Sequence, residues 1–114
     1  MIIQRGDVFD RFSILILKAT HNTEIEAIKD ELLELILEFK VSNLKEAEVF
    51  LNLLNTNNKI WDLESDIRQG KEKELGLEEV GRRALAIRNL NKQRIALKNS
   101  ISQYKEIKSN HASE

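Results

Sequence analysis

A chain of 114 residues with no proline and only four glycines carries almost none of the residues that shape tight turns. An all-β sandwich or barrel of this length needs a turn signal about every 8–12 residues, so the sequence restricts the fold to a few long elements. Leu, Ile, Glu, Lys, Asn and Arg dominate, a set that favours helix. The expected fold class is all-α: a single domain over 1–114, built as an antiparallel four-helix bundle dominated by a long hairpin of the third and fourth helices.

The apolar spacing places the four helices at about 7–20, 24–40, 44–69 and 77–107, with a frayed tail over 108–114. Gly6 marks a break before the first helix, where Asp7 and Arg11 form an i,i+4 pair in the favourable order. Val8, Phe12, Leu15, Ile16 and Ala19 make its main apolar face, and Ile14 and Leu17 extend apolarity around the rod, so it should pack on two sides. Thr23 with Glu26 is a capping-box signature for the second helix. Ile25, Ile28, Leu32, Leu35, Ile36 and Phe39 point inward there, while Leu33 and Leu37 fall off that face and suit an oligomer contact. Asn43 with Glu46 repeats the cap pattern for the third helix, which Gly70 should stop. Its asparagines at 52, 55, 57 and 58 lower helix propensity and allow a kink near 55–58.

Asn57, Trp61, Glu64 and Arg68 recur at spacings of four, three and four. At about 100° per residue they share a narrow sector, and that sector is the middle of the stripe made by Phe50, Leu53, Leu54, Ile60 and Ile67. Polar groups there are costly unless partnered. The fourth helix repeats the anomaly: Arg83, Arg94 and Lys98 project into its apolar sector and Asn91 flanks it. Closing the hairpin over 70–76 predicts a Glu64–Arg83 ion pair and an Asn57–Asn91 contact. Trp61 reads as a core anchor, Asp62 and Asp66 as a solvated face, and His21 and His111 as residues without an evident partner.

Charge is uneven although the net is −1. From Glu24 to Asp66 there are eleven acids against four Lys or Arg, a balance of −7; from Glu79 to Lys108, two acids face eight Lys or Arg, a balance of +6. Attraction between acidic and basic helices inside the fold is the simplest account. The stripes admit three functional readings. In the first, the polar groups satisfy one another and set helix register, leaving a small helical interaction or oligomerisation module. In the second, cations in excess of Glu64 make a site for a small anion, a phosphate or carboxylate metabolite, bound by Asn57, Trp61, Glu64, Arg68, Arg83, Asn91, Arg94 and Lys98; were it an enzyme, Glu64 would be the catalytic candidate for proton transfer. In the third, the basic fourth helix meets nucleic acid, which near-neutral total charge disfavours.

No phosphate loop, dinucleotide fingerprint, zinc-protease motif or calcium loop is present, and the sequence calls for no metal and no cofactor. The absence of cysteine excludes a disulfide framework and thiol chemistry. No apolar run approaches the ~18–20 residues of a membrane span, and Arg5, Asp7, Asp10 and Arg11 interrupt any leader-like segment. A cytoplasmic protein, self-associating and without a membrane partner, is the expectation.

Three blocks, RGDVFDRFSILILK at 5–18, NKIWDLESDIR at 58–68 and EVGRRALAIRNLNKQRIALKNSI at 79–101, together resemble an uncharacterised family of small all-helical bacterial and phage proteins. The resemblance spans nearly the whole chain and makes Asp10, Asn57, Trp61, Glu64, Arg68, Asn91 and Arg94 the matching positions. That family usually has proline where this chain has Arg5. The resemblance implies a helical fold and carries no activity. An Arg/Glu-lined helical interior is also loosely similar to helical chorismate mutases, without their motif spacing.

Overall fold

In a computed structural model of the chain, residues 4–21 and 24–113 are described, with the side chains of 72 and 102–113 left out. Every described element is a helix: α1 (Arg5–Thr20), α2 (Ile25–Glu38), α3 (Leu44–Arg68), a single turn α4 (Glu72–Leu75) and α5 (Leu77–Ser113). Gly6 lies buried inside the first turn of α1 rather than before it, and Gln4 is the N-cap. α3 runs unbroken through 55–58, because Thr56 and Asn57 are buried there and held by packing that overrides their weak propensity. α5 continues past the expected end at Ile107 to Ser113. Thr23 of the expected capping box lies outside the described residues.

The ends of α3 follow from local chemistry. Asn43 Oδ1 accepts the Glu46 amide at 2.9 Å, and the Glu46 carboxylate reaches back to the Ser42 amide at 2.8 Å, so two amides that begin the helix are satisfied reciprocally. At the other end Gly70 adopts φ 75°. Its amide bonds to Ile67 O at 3.0 Å and the next amide, Lys71, to Asp66 O at 2.8 Å, the paired bonds of a Schellman stop.

α1, α3 and α5 pack pairwise, and α2 packs on α1. Side-chain pairs give the directions. Arg5 meets Glu46 and Asn57 reaches Ser13, so α1 and α3 run the same way; Asp7 meets Lys98 and Asp10 meets Arg94, so α5 runs against them. α1 is therefore covered on two sides, as its wide apolar arc requires. The core has two matching parts. Val8, Leu15, Ile28 and Leu35 join α1 to α2, and Phe9, Leu53 and Ile101 join α1, α3 and α5. Phe39 packs against both. It stacks on Phe12 at 4.5 Å and meets Phe9 and Phe50 at 4.8 and 4.7 Å, so all four phenylalanines of the chain converge on one knot. Each such side chain contributes roughly 1.5–3 kcal/mol when fully buried.

α2 covers less than its sequence offers. Ile28 and Leu35 are buried, but Ile25 and Ile36, expected inside, are about half exposed, with Leu33 and Leu37 beside them. One partner helix shields only one side of a helix whose apolar arc continues round it.

Candidate functional site

The polar groups that interrupt the apolar stripes separate into two places. The first is the junction of α1, α3 and α5. Asp10 is 4% exposed and Ser13 is fully buried. Asn57 donates from Nδ2 to Asp10 Oδ1 at 3.0 Å and to Ser13 Oγ at 2.8 Å, and the Ser13 hydroxyl donates to the Asp10 carbonyl at 2.7 Å. From α5, Arg94 clamps both oxygens of the same carboxylate, Nε to Oδ1 at 2.9 Å and Nη2 to Oδ2 at 2.6 Å. This forked geometry is the strong form of the ion pair. The bonds from Asp10 raise the Arg94 pKa above its ordinary value; burial opposes them, and the charges of Asp10, Glu64 and Asp7 add to the rise. One turn further along, Lys98 Nζ lies 2.8 Å from Asp7.

Asp10 is the residue on which this junction turns, and Ser13 supports it. Neither stood out by composition. A signal was present, however: Gly6, Asp10, Ser13 and Leu17 are all buried on α1 and repeat the four-three-four spacing of the α3 stripe. Two such stripes on parallel helices are complementary faces.

The second place is the far end of the α3–α5 hairpin, beyond the end of α1. Here the pairing is local. Arg68 Nη1 lies 3.2 Å from Glu64 and Nη2 donates to the Trp61 carbonyl at 2.8 Å, while the guanidinium sits 4.3 Å from the Trp61 ring. His21, at the end of α1, stacks on the same indole at 5.0 Å with an interplanar angle of 20°. Trp61 is thus a half-buried platform for His21 and Arg68 rather than a core anchor, because α1 ends beside it and leaves its outer part uncovered. An open cleft of about 310 Å³ borders it, lined by Thr20, His21, Trp61, Ser65, Arg68 and Gln69.

Both expected cross-hairpin contacts are replaced. Arg83 does not meet Glu64; its Nη1 reaches Asp66 at 3.1 Å and the Leu63 carbonyl at 3.4 Å, and its Nε bonds Glu79 at 3.2 Å. The bond to Glu79 leads in raising the Arg83 pKa, burial opposes it, and Asp66 supports it. Asn57 turns to Asp10 and Ser13 rather than to Asn91, which is half-buried on α5. One cause underlies both changes. α3 shares its inner surface between two helices, α1 on the Asn57–Trp61 side and α5 on the Leu63–Asp66 side, so Asp66 is not on a purely solvated face and Glu64 is left to Arg68. The expected Asp7–Arg11 pair is also exchanged: Asp7 takes Lys98, and Arg11 pairs with Glu31 of α2. The Glu31 bond raises the Arg11 pKa against the effect of burial, and the same bond lowers that of Glu31.

A third cluster closes the opposite end. Arg5 holds Glu46 through Nη2 at 2.7 Å and Nε at 3.1 Å, and also binds Ser42 Oγ and the Lys40 carbonyl. Burial pushes the Glu46 carboxyl up, but the bonds from Arg5 and Ser42 and the charge of Arg5 outweigh it and leave the pKa below the usual carboxylate range. Arg5 thus ties the start of α1 to the α2–α3 connection.

Arg68, Arg83, Arg94 and Lys98 are therefore each engaged with a carboxylate of the same chain. Among the described residues, no buried side-chain nitrogen or oxygen lacks a hydrogen-bond partner, and no cluster of three His, Cys, Asp or Glu residues is placed to hold a metal ion. No helix among them is long and apolar enough to cross a membrane. No protein-family model, no curated protein and no solved structure matches the chain.

Proposed function

We propose that this chain is a small helical interaction module, working in the cytoplasm and assembling with copies of itself through the outer face of α2. The observation that carries the reading is the mismatch between the apolar arc of α2 and what covers it. Ile28 and Leu35 are buried against α1, whereas Leu33 is 52% and Leu37 76% exposed, with Ile25 and Ile36 beside them. An exposed apolar face of this kind, interrupted only by the exposed Lys29 between Ile36 and Leu33, is a mark of a contact surface. In this reading the four long helices form an antiparallel bundle whose outer member, α2, is completed between molecules. The resemblance to small helical bacterial and phage proteins fits such a module without adding an activity.

Self-association is favoured over a small-anion site because the cations that motivated that site already hold Asp10, Asp7, Glu64 and Asp66. At Arg94 an anion would have to displace a forked ion pair to a buried carboxylate, at a cost of several kcal/mol. The test is sedimentation velocity over a range of concentrations. The wild-type chain should sediment above the mass of one 13.2 kDa copy, and Leu33→Gln/Leu37→Gln should return it to that mass with its helicity unchanged. A wild-type chain that stays monomeric at every concentration overturns the proposal.

A further inference from the structure

Resting on that reading, we infer that the surface receiving α2 is the outer face of α5 on a neighbouring copy, so that copies join head to tail. The acidic and basic halves of the sequence were expected to neutralise each other within the fold, and for α3 and α5 they do, through Asp66 and Arg83. α2 is the exception. It packs on α1, and among the described residues no ion pair joins it to α5. Its exposed leucines are bordered on one side by Glu26, Asp30 and Glu34, all exposed and none in an ion pair among the described residues, and on the other by the single exposed cation Lys29, so the face is net acidic.

The outer face of α5 has the opposite character. At about 100° per residue, Gly81, Leu85, Arg88, Lys92, Ile95 and Ala96 fall in one sector, turned away from the side that carries Arg83, Arg94 and Lys98. Leu85 is 61% and Ile95 55% exposed. Arg88 and Lys92 are exposed between them and are in no ion pair among the described residues. Gly81 lies on this same exposed face. A glycine inside a helix costs about 1 kcal/mol relative to alanine, yet a Cβ at 81 would meet nothing within 4 Å in its own chain. An apolar face with three acids against Lys29 and an apolar face crossed by Arg88 and Lys92, where Glu78 is already paired with Arg82, carry opposite net charge and are complementary. Pairing α2 with α2 would set like charges together, a juxtaposition that disfavours association. Because the two surfaces differ, each copy both gives and receives: the contact closes as a reciprocal dimer where both can be made at once, and as a ring or filament where they cannot.

Charge reversal separates this from the broader reading. Arg88→Glu/Lys92→Glu should self-associate at least tenfold more weakly than wild type, and so should Asp30→Lys/Glu34→Lys. Every exchanged residue is exposed, so circular dichroism should match wild type, and melting should match it at concentrations where wild type is dissociated. An equal mixture of the two variants should recover the wild-type mass, since each α2 then faces an α5 of opposite charge. If the α5 variant associates like wild type while Leu33→Gln/Leu37→Gln does not, α2 pairs with something other than α5 and this inference falls while the module reading stands. If the mixture fails to recover although each variant is folded, the inference falls as well. If wild type never exceeds one copy, both fall together.

Discussion

Asn57 and Arg68 stand on one stripe of one helix, yet they live in different surroundings. Asn57 is sealed at a junction of three helices and bonds across to α1, while Arg68 is exposed and bonds back to Glu64 and Trp61 of its own helix. The spacing is the same at both ends. What differs is cover: α1 stops at Thr20, beside Trp61, so the first half of the stripe has a third helix above it and the second half has solvent. Polar groups under the third helix must find partners in other elements, and those beyond it find them within a turn. The first kind fixes how helices sit together; the second stabilises the helix it belongs to.

Substitutions at the two ends should therefore differ widely in cost. The largest effect belongs to Asp10→Ala, which strands Arg94 and Asn57 at the junction and should lower unfolding free energy in urea by ~3–5 kcal/mol. An Asp10→Ala loss no larger than that of a surface pair would erase the contrast. Next is Glu46→Gln, with ~1–3 kcal/mol lost because Arg5 and the Ser42 amide lose their charged acceptor. This pair also sets a pH dependence. The folded Glu46 pKa lies below its unfolded value, so its stabilisation is full above the unfolded value and disappears as pH falls through the folded one, below about pH 4.3. Acid titration of stability should be shallower for Glu46→Gln than for wild type, and identical curves would remove Glu46 from the account. Gly81→Ala, away from the junction, should work in the other direction, adding ~0.5–1 kcal/mol to monomer stability while weakening association. Glu64→Gln should cost the least, at most ~0.5 kcal/mol, because its pair with Arg68 is exposed; a thermal melt well below wild type would show that the hairpin end is more than locally held.

The elements were largely legible from the order of residues. The all-helical class, the Asn43 cap and the Gly70 stop rest on short-range chemistry and are present, whereas the last helix runs past its expected end at 107 to Ser113 and the 70–76 connection holds the turn α4. Even the level at which Arg83 meets α3 follows from folding the hairpin about its connection. The partners were not legible, because a stripe shows that a partner is needed without showing which neighbouring helix supplies it. Glu64 and Asp66 are two residues apart and point to different sides, so the choice between them depended on where α5 lies around α3. The position of α1 decided the rest. Once it occupies the Asn57 side, its own Asp10 claims Asn57 and Arg94 together, and Asn91 is left out.

The bond from Arg94 to Asp10 spans 84 positions of sequence, and that separation has a consequence in time. During synthesis at ~5–20 residues per second, α1 exists for roughly 4–17 s before the arginine that neutralises its buried carboxylate has been made. The forked pair that closes the junction is therefore among the last contacts the growing chain can make, since Arg94 lies on its last helix.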